Sequence, residues 1–197
     1  MYNDIGRRLE ENTRETTRFV AGLQGNITQD WTMDLSLVHG KSEIERVNAA
    51  NVIMANYANA IDAVFDDEGN IVCRSEAARA DGCAPANIMG DGAISQEAID
   101  YVTTTSVGTS EIEQTVFNAT FSNSALFELP AGMVSTAYGV SYQTDLIKDT
   151  PGIETRRGNS WGLSGANITK GRSTTKAAYA EFNVPLLREM PLVQALD

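Results

Sequence analysis

Apolar and polar residues alternate strictly along two neighbouring stretches of the chain, which are separated by the short polar turn 26–30. One face of both stretches carries mainly apolar side chains: Thr17, Phe19, Ala21, Leu23, Trp31, Met33, Leu35 and Leu37. The opposite face carries polar groups, among them Arg18 and Asp34. Two alternating segments joined by a tight polar turn are typical of a β-hairpin. The pattern therefore predicts strands at about 15–26 and 30–42.

The same alternation returns in three later segments, which predicts strands at about 112–124, 132–145 and 174–187. One face of these segments carries the large apolar residues: Phe117, Phe121, Val134, Tyr138, Val140, Tyr142, Phe182 and Val184. The other face carries Gln114, Asn118, Tyr179, Glu181 and Asn183. Five alternating segments predict an all-β fold, a curved antiparallel meander of about five strands.

Two long connections, 43–111 and 146–173, separate the second strand from the third and the fourth from the fifth. The first of them contains two predicted helices, one at 48–65 and a shorter one that begins with Ser95 as its N-cap. Short turns therefore alternate with long, partly helical loops. This alternation is typical of a transmembrane β-barrel, which has tight turns at one rim and large extracellular loops at the other.

The composition of the two faces also favours part of a transmembrane barrel. Ala and Thr are mixed with Phe and Leu on the apolar face, which suffices against lipid but makes a modest core for a soluble sheet. The polar face suits a water-filled or plugged lumen, and Trp31, Tyr138 and Tyr142 stand where an interfacial aromatic girdle is expected. The alternative interpretation is a soluble extracellular β-domain that binds carbohydrate or assembles with copies of itself.

The bulk properties exclude some classes of function. At 197 residues the chain has room for one domain or two small ones, and its formal net charge of −11 argues against nucleic-acid binding. No run approaches the roughly 18 apolar residues of a membrane helix. The opening residues MYNDIGRRLEENTRE lack the apolar segment of a secretory signal, which by itself favours a cytoplasmic protein.

The two cysteines, Cys73 and Cys83, point instead to an oxidising compartment. They lie ten positions apart in a loop rich in Gly, Ala and Asp, a spacing that suits a small loop closed by a disulfide. A pair of free thiols is the alternative at this stage.

Motifs that carry catalytic or metal chemistry are weak in this chain. GNSWG, at 158–162, matches the pattern of a nucleophile elbow around Ser160, but the chain's single histidine, His39, lies far upstream and no helix pattern follows the motif. His39 has no His or Cys partner at the spacing of metal ligands. DDEGN, at 66–70, lacks the spacing of a calcium loop and predicts a turn. We therefore expect no catalytic residues, no metal site and no cofactor.

Consecutive pieces of the chain resemble TonB-dependent outer-membrane receptors, and in particular the subgroup with carbohydrate- or oligopeptide-type substrates. The resemblance is carried by these pieces: TRFVAGLQGNITQDWTMDLSLVHGKSE, GNIVCR, GCAPANIMG, GAISQEAIDYV, EIEQTVFNATFSNSALFELPAGMVSTAYGVSYQTD and KAAYAEFNVPLL. Their order and spacing extend from about Gly6 to Asp197.

The resemblance implies a barrel of about 22 strands around an N-terminal plug, which imports a scarce nutrient such as a siderophore, a carbohydrate or an oligopeptide. Transport in this family is driven by the TonB energy-transducing complex of the inner membrane. The chain matches neither the plug nor the signal peptide of the family and has room for about five strands, so we expect an internal piece of an outer-membrane barrel. Such a piece has open sheet edges, so the isolated chain should self-associate.

The candidate substrate-binding residues fall into two groups. Arg18, Asp34, Tyr179 and Glu181 point into the predicted lumen. Arg156 and Trp161 lie in the second long loop, where an aromatic ring beside polar groups could stack on a sugar.

Overall fold

The computed structural model describes residues 2–190 and 193–196, and about 60% of the chain is strand and 15% is helix. Five long strands form one antiparallel sheet in the order β1-β2-β5-β6-β7. They are β1 (Leu9–Asn26), β2 (Trp31–Val52), β5 (Thr103–Leu129), β6 (Gly132–Thr150) and β7 (Thr169–Asn183). The predicted all-β class and the five-stranded antiparallel sheet are confirmed.

The remaining elements are short. The helices are α1 (Tyr2–Ile5), α2 (Met54–Ile61), α3 (Glu76–Ala80), α4 (Gln96–Val102) and α5 (Ile153–Arg156). Two small hairpins complete the set: β3 (Ala63–Phe65) with β4 (Ile71–Cys73), and β8 (Leu187–Met190) with β9 (Val193–Leu196). In the first hairpin Ala63 pairs with Cys73 and Phe65 with Ile71.

The long strands extend further than the alternating pattern indicates. β2 continues to Val52 and β5 begins at Thr103, so the connection between them is 53–102 rather than 43–111. Threonine and other β-branched residues favour the extended backbone even where no apolar face is present. At the other end of the sheet β7 stops at Asn183, and residues 184–186 lie outside it.

The structure corrects one helix prediction and confirms the other. Of the expected helix at 48–65 only α2 forms, because residues up to Val52 belong to β2 and residues 63–65 to β3. α4 begins as predicted, since the Ser95 hydroxyl accepts a hydrogen bond from the backbone N–H of Ala98 at 3.2 Å. Asn51 and Val52 are buried, which favours their place in the sheet over a helical stripe.

The chain divides into two compact units. The first unit comprises Met1–Glu15, Glu43–Ser110 and Lys148–Lys170, and the second comprises Thr16–Ser42, Glu111–Ile147 and Gly171–Asp197. The first unit has a small apolar core made mostly of alanine: Ala60, Ala86, Ile94, Ala98 and Val102. The disulfide between Cys73 and Cys83, with Cα atoms 6.3 Å apart, closes a loop within this unit. The predicted disulfide is confirmed.

The second unit contains the central stretches of the five long strands. Its residues with buried side chains include Ala119, Val134 and Thr136. The Thr136 hydroxyl donates to the backbone carbonyl of Glu181 at 2.8 Å.

Candidate functional site

Cross-strand hydrogen bonds define the polar face of the second unit. The Asn118 amide donates to the Ser36 hydroxyl at 3.4 Å, and the hydroxyls of Thr32 and Ser122 are 2.6 Å apart. Because side chains two positions apart in a strand point to the same face, Asp34 shares this face with Thr32 and Ser36. We call the side of the second unit that carries these residues the polar face.

Tyr179 on β7 lies across the polar face. A Cβ atom added at Gly139 would come within 2.1 Å of the Tyr179 ring, so the ring packs directly over the backbone of that glycine. The Tyr179 hydroxyl reaches the hydroxyl of Thr120 on β5 at 3.1 Å. The side chain is still 52% exposed, so a large part of its surface is open to solvent.

The residues around Tyr179 were only partly predicted from the sequence. Tyr179 itself was predicted to line a lumen, but its partners Gly139 and Thr120 were not identified. A glycine in the interior of a strand often marks the close approach of another group, and Gly139 interrupts an alternating strand in this way. That signal would have pointed to the ring contact.

A groove of about 390 Å³ lies in the second unit and is lined almost entirely by polar residues. Its lining includes the Thr32 and Ser122 pair, together with Asp30, Glu181 and Asn183. Glu181 stands two positions from Tyr179 on β7, so both side chains leave the strand on the same side. The structure therefore brings Tyr179 and Glu181 together, as predicted residues of one surface.

Arg18 and Asp34 are exposed on β1 and β2. The Thr16 and Ser42 hydroxyls are 3.1 Å apart, and Ser42 is in phase with Ser36 along β2. Arg18, two positions from Thr16, therefore shares the polar face. The structure thus places all four candidates from the strands on this face.

The opposite side of the second unit, which we call the apolar face, carries three aromatic rings in contact. The Trp31 and Tyr138 rings are stacked with centroids 6.4 Å apart, and Tyr138 meets Phe182 edge to face at 5.8 Å. Large side chains on this face remain exposed: Phe19 is 58% exposed, Phe117 39% and Phe182 55%. In the second unit, no second layer of described residues buries them.

Polar pairs replace the apolar side chains further along the same face. His39 shares a hydrogen bond of 2.9 Å with the Thr115 hydroxyl. Lys41 forms an ion pair of 2.9 Å with Glu111. The apolar side chains of β2 and β5 therefore form a band that ends at these residues.

The two candidates from the second long loop lie in the first unit, and both differ from free recognition groups. Trp161 is half-buried: its ring meets Tyr57 edge to face at 5.3 Å, and its carbonyl accepts a hydrogen bond from Arg8 at 3.2 Å. It borders a cavity of about 240 Å³ together with Ile5 and Val52. Arg156, in contrast, is exposed in α5.

Ser160 is a packed residue. It is 2% exposed, and its hydroxyl accepts a hydrogen bond from the buried amide of Asn51 at 3.0 Å. The pair helps to hold β2 against the segment after α5, where Ile53 and Ser160 form a β-bridge. These contacts give Ser160 a structural role.

The first unit also has a polar groove of about 830 Å³ beside α2, α3 and α4. Asn56, Asp81, Glu97 and Asp100 contribute to its lining. Within residues 2–190 and 193–196 no three His, Cys, Asp or Glu side chains are grouped so that they could hold a metal ion.

Comparison of the chain with protein-family models, with curated proteins and with solved structures found no match in any of the three. Over the described part of the chain, none of the helices combines the length and the apolar character needed to cross a membrane.

Proposed function

We propose that this chain is part of the β-barrel of a TonB-dependent outer-membrane receptor, which binds a scarce nutrient and imports it. The observation that carries the proposal is the apolar face of the second unit. Its exposed phenylalanines, Phe19, Phe117 and Phe182, stand on a sheet whose other face is polar. Lipid acyl chains are the partner that suits such a face.

A soluble sheet would bury this face. Domains in water are built from at least two layers because the apolar side of a sheet must be covered. A barrel in a membrane reverses the arrangement, with apolar side chains towards lipid and polar side chains towards the lumen. The hydrogen-bonded polar face and the uncovered apolar face agree with the second arrangement.

The open edges of the sheet also agree with the proposal. β1 and β7 each have a neighbour on one side within the described sheet. An unpaired backbone group in hydrocarbon costs several kcal/mol, so a lipid-facing sheet of this kind needs further strands to close it. The receptor barrel supplies them, and without them the chain self-associates through its edges.

The first unit suits the role of extracellular loops. Its disulfide between Cys73 and Cys83 is stable in an oxidising environment, as expected outside the cytoplasm. The sequence pieces that resemble the receptor family include GNIVCR and GCAPANIMG, which contain these two cysteines. The protein thus acts by binding and transport and not by catalysis, with the TonB complex, acting through a plug domain, as its energy source.

Vesicle flotation tests the membrane assignment. The chain is refolded with phosphatidylcholine vesicles, washed in alkaline carbonate and centrifuged in a density gradient. We expect it to float with the lipid after the wash, because its apolar face is inserted. A chain that stays at the bottom as a monodisperse monomer would instead support the soluble carbohydrate-binding domain.

A further inference from the structure

The Tyr179 ring has the geometry of a stacking platform. One side of the ring packs over Gly139, where a side chain would collide with it, and the hydroxyl is tethered to Thr120 at 3.1 Å. These two contacts hold the ring against the sheet while half of the side chain remains exposed. A ring held in place in this way loses little conformational entropy when a ligand stacks on it.

The groups beyond the ring are hydroxyls, amides and carboxylates. Thr32, Ser122, Asn183 and Glu181 line the polar groove of about 390 Å³ in the same unit. Hydroxyls and amides both donate and accept hydrogen bonds, which matches a ligand whose own groups are hydroxyls. An aromatic face beside such groups binds the apolar C–H side of a sugar ring and its polar edge at the same time.

The charges near the platform select against anions. Asp30 and Glu181 line the groove, and Asp34 shares the polar face. Carboxylates raise the free energy of a nearby anionic ligand, such as a phosphate or an acidic siderophore. An uncharged ligand carries no such penalty.

We propose that Tyr179 and the adjoining polar groove form a binding site for a neutral oligosaccharide, with one sugar ring stacked on Tyr179 and its hydroxyls bonded to the groove. The site rests on the proposed receptor function, since it lies on the face assigned to the lumen. It identifies the imported nutrient as a neutral carbohydrate.

The test measures the binding of maltohexaose, cellohexaose and xylohexaose, each alone at millimolar concentration, to the vesicle-inserted full chain. Saturation-transfer NMR and calorimetry provide the readouts. We expect at least one of the three to bind, and Tyr179→Ala to weaken its affinity about tenfold or more. Tyr179→Phe keeps the ring and should retain binding.

Two further variants separate stacking from folding. Gly139→Ala leaves the tyrosine in place but displaces its ring, so it should weaken binding as Tyr179→Ala does. Tyr142→Ala removes a ring from the opposite face of β6 and should leave binding unchanged. Flotation of every variant shows whether it is still inserted.

Failure of this inference is distinct from failure of the receptor proposal. A wild-type chain that floats with vesicles but binds none of the three sugars overturns the carbohydrate site and leaves the membrane assignment intact. Equal sugar affinity in wild type and Tyr179→Ala also overturns it. A chain that does not float removes the receptor proposal, whatever the sugar result.

Discussion

The indole ring of Trp31 stacks on the ring of Tyr138 with an interplanar angle of 18°, although the two residues stand on strands that are not adjacent in the sheet. Tyr138 in turn contacts Phe182 on β7. The contacts therefore link β2, β6 and β7 across one face of the second unit. Exposed aromatic contacts of this kind are expected at the rim of a lipid-facing surface, where amphipathic rings are enriched.

Arginine substitutions at adjacent positions of β6 should separate the two faces. Val140 is 50% exposed on the apolar face, and Ser141 follows it on the polar face. Val140→Arg should destabilise the inserted chain by about 2–4 kcal/mol, because a charged side chain near the middle of a bilayer loses its hydration. Urea titration in vesicles measures the free energy of unfolding.

Ser141→Arg is the matched control and should change this free energy much less. Equal effects at positions 140 and 141 would contradict the assignment of faces. Equal stability in both variants and in the wild type would contradict it as well.

Removing the disulfide should loosen the first unit. Cys73→Ser with Cys83→Ser should cost about 2–4 kcal/mol of stability in this region, because the unfolded loop regains conformational freedom. Arg74 and Arg79 lie inside the loop and provide trypsin sites. We expect trypsin to cut there faster in the double variant than in the wild type, and mass spectrometry identifies the sites.

The same digestion contains its own control. Cleavage after Arg18, on β1 in the second unit, should be equally slow in both proteins when they are inserted in vesicles. Unchanged cleavage at Arg74 and Arg79 would show that the disulfide does not stabilise the loop.

The turn between β3 and β4 should depend on pH. Hydrogen bonds from the Asn70 side chain and backbone lower the pKa of Asp66 below its ordinary value of 3.8. Since the folded turn prefers the carboxylate, its contribution is fully present above the ordinary pKa and is lost as the pH falls through the lowered one. Amide hydrogen exchange at Asn70 should therefore show weaker protection in acid than expected from the neutral-pH turn.

Asp66→Asn gives the control for this prediction. The amide oxygen still accepts backbone hydrogen bonds but does not titrate, so protection at Asn70 should be independent of pH in the acid range. The same acid sensitivity in this variant would assign the effect to another group.

The alternating pattern predicted the elements whose stabilisation is local. The turn 26–30 connects β1 and β2 as expected, and the Ser95 cap starts α4, because a turn or a cap depends on a few neighbouring residues. The extent of the strands was not predictable in the same way. Residues 103–111 lack an apolar face, and their strand conformation depends on pairing with distant parts of the chain.

The candidate site shows the same division. The phase of β7 placed Tyr179 and Glu181 on the polar face, but the phase cannot say which residue on another strand lies beneath the ring. Trp161 was expected to be available for stacking, and its sequence neighbours gave no sign of Tyr57, which packs against it from α2. Contacts between distant segments depend on the folded chain.

Fluorescence quenching by dibrominated phosphatidylcholine tests the central claim most directly, because the chain has only two tryptophans. Trp161→Phe leaves Trp31, on the apolar face, as the sole indole, and Trp31→Phe leaves Trp161. We predict that the brominated lipid quenches Trp31 strongly in vesicles and barely affects Trp161. Trp31 fluorescence that is insensitive to the brominated lipid would contradict the assignment of the apolar face to acyl chains.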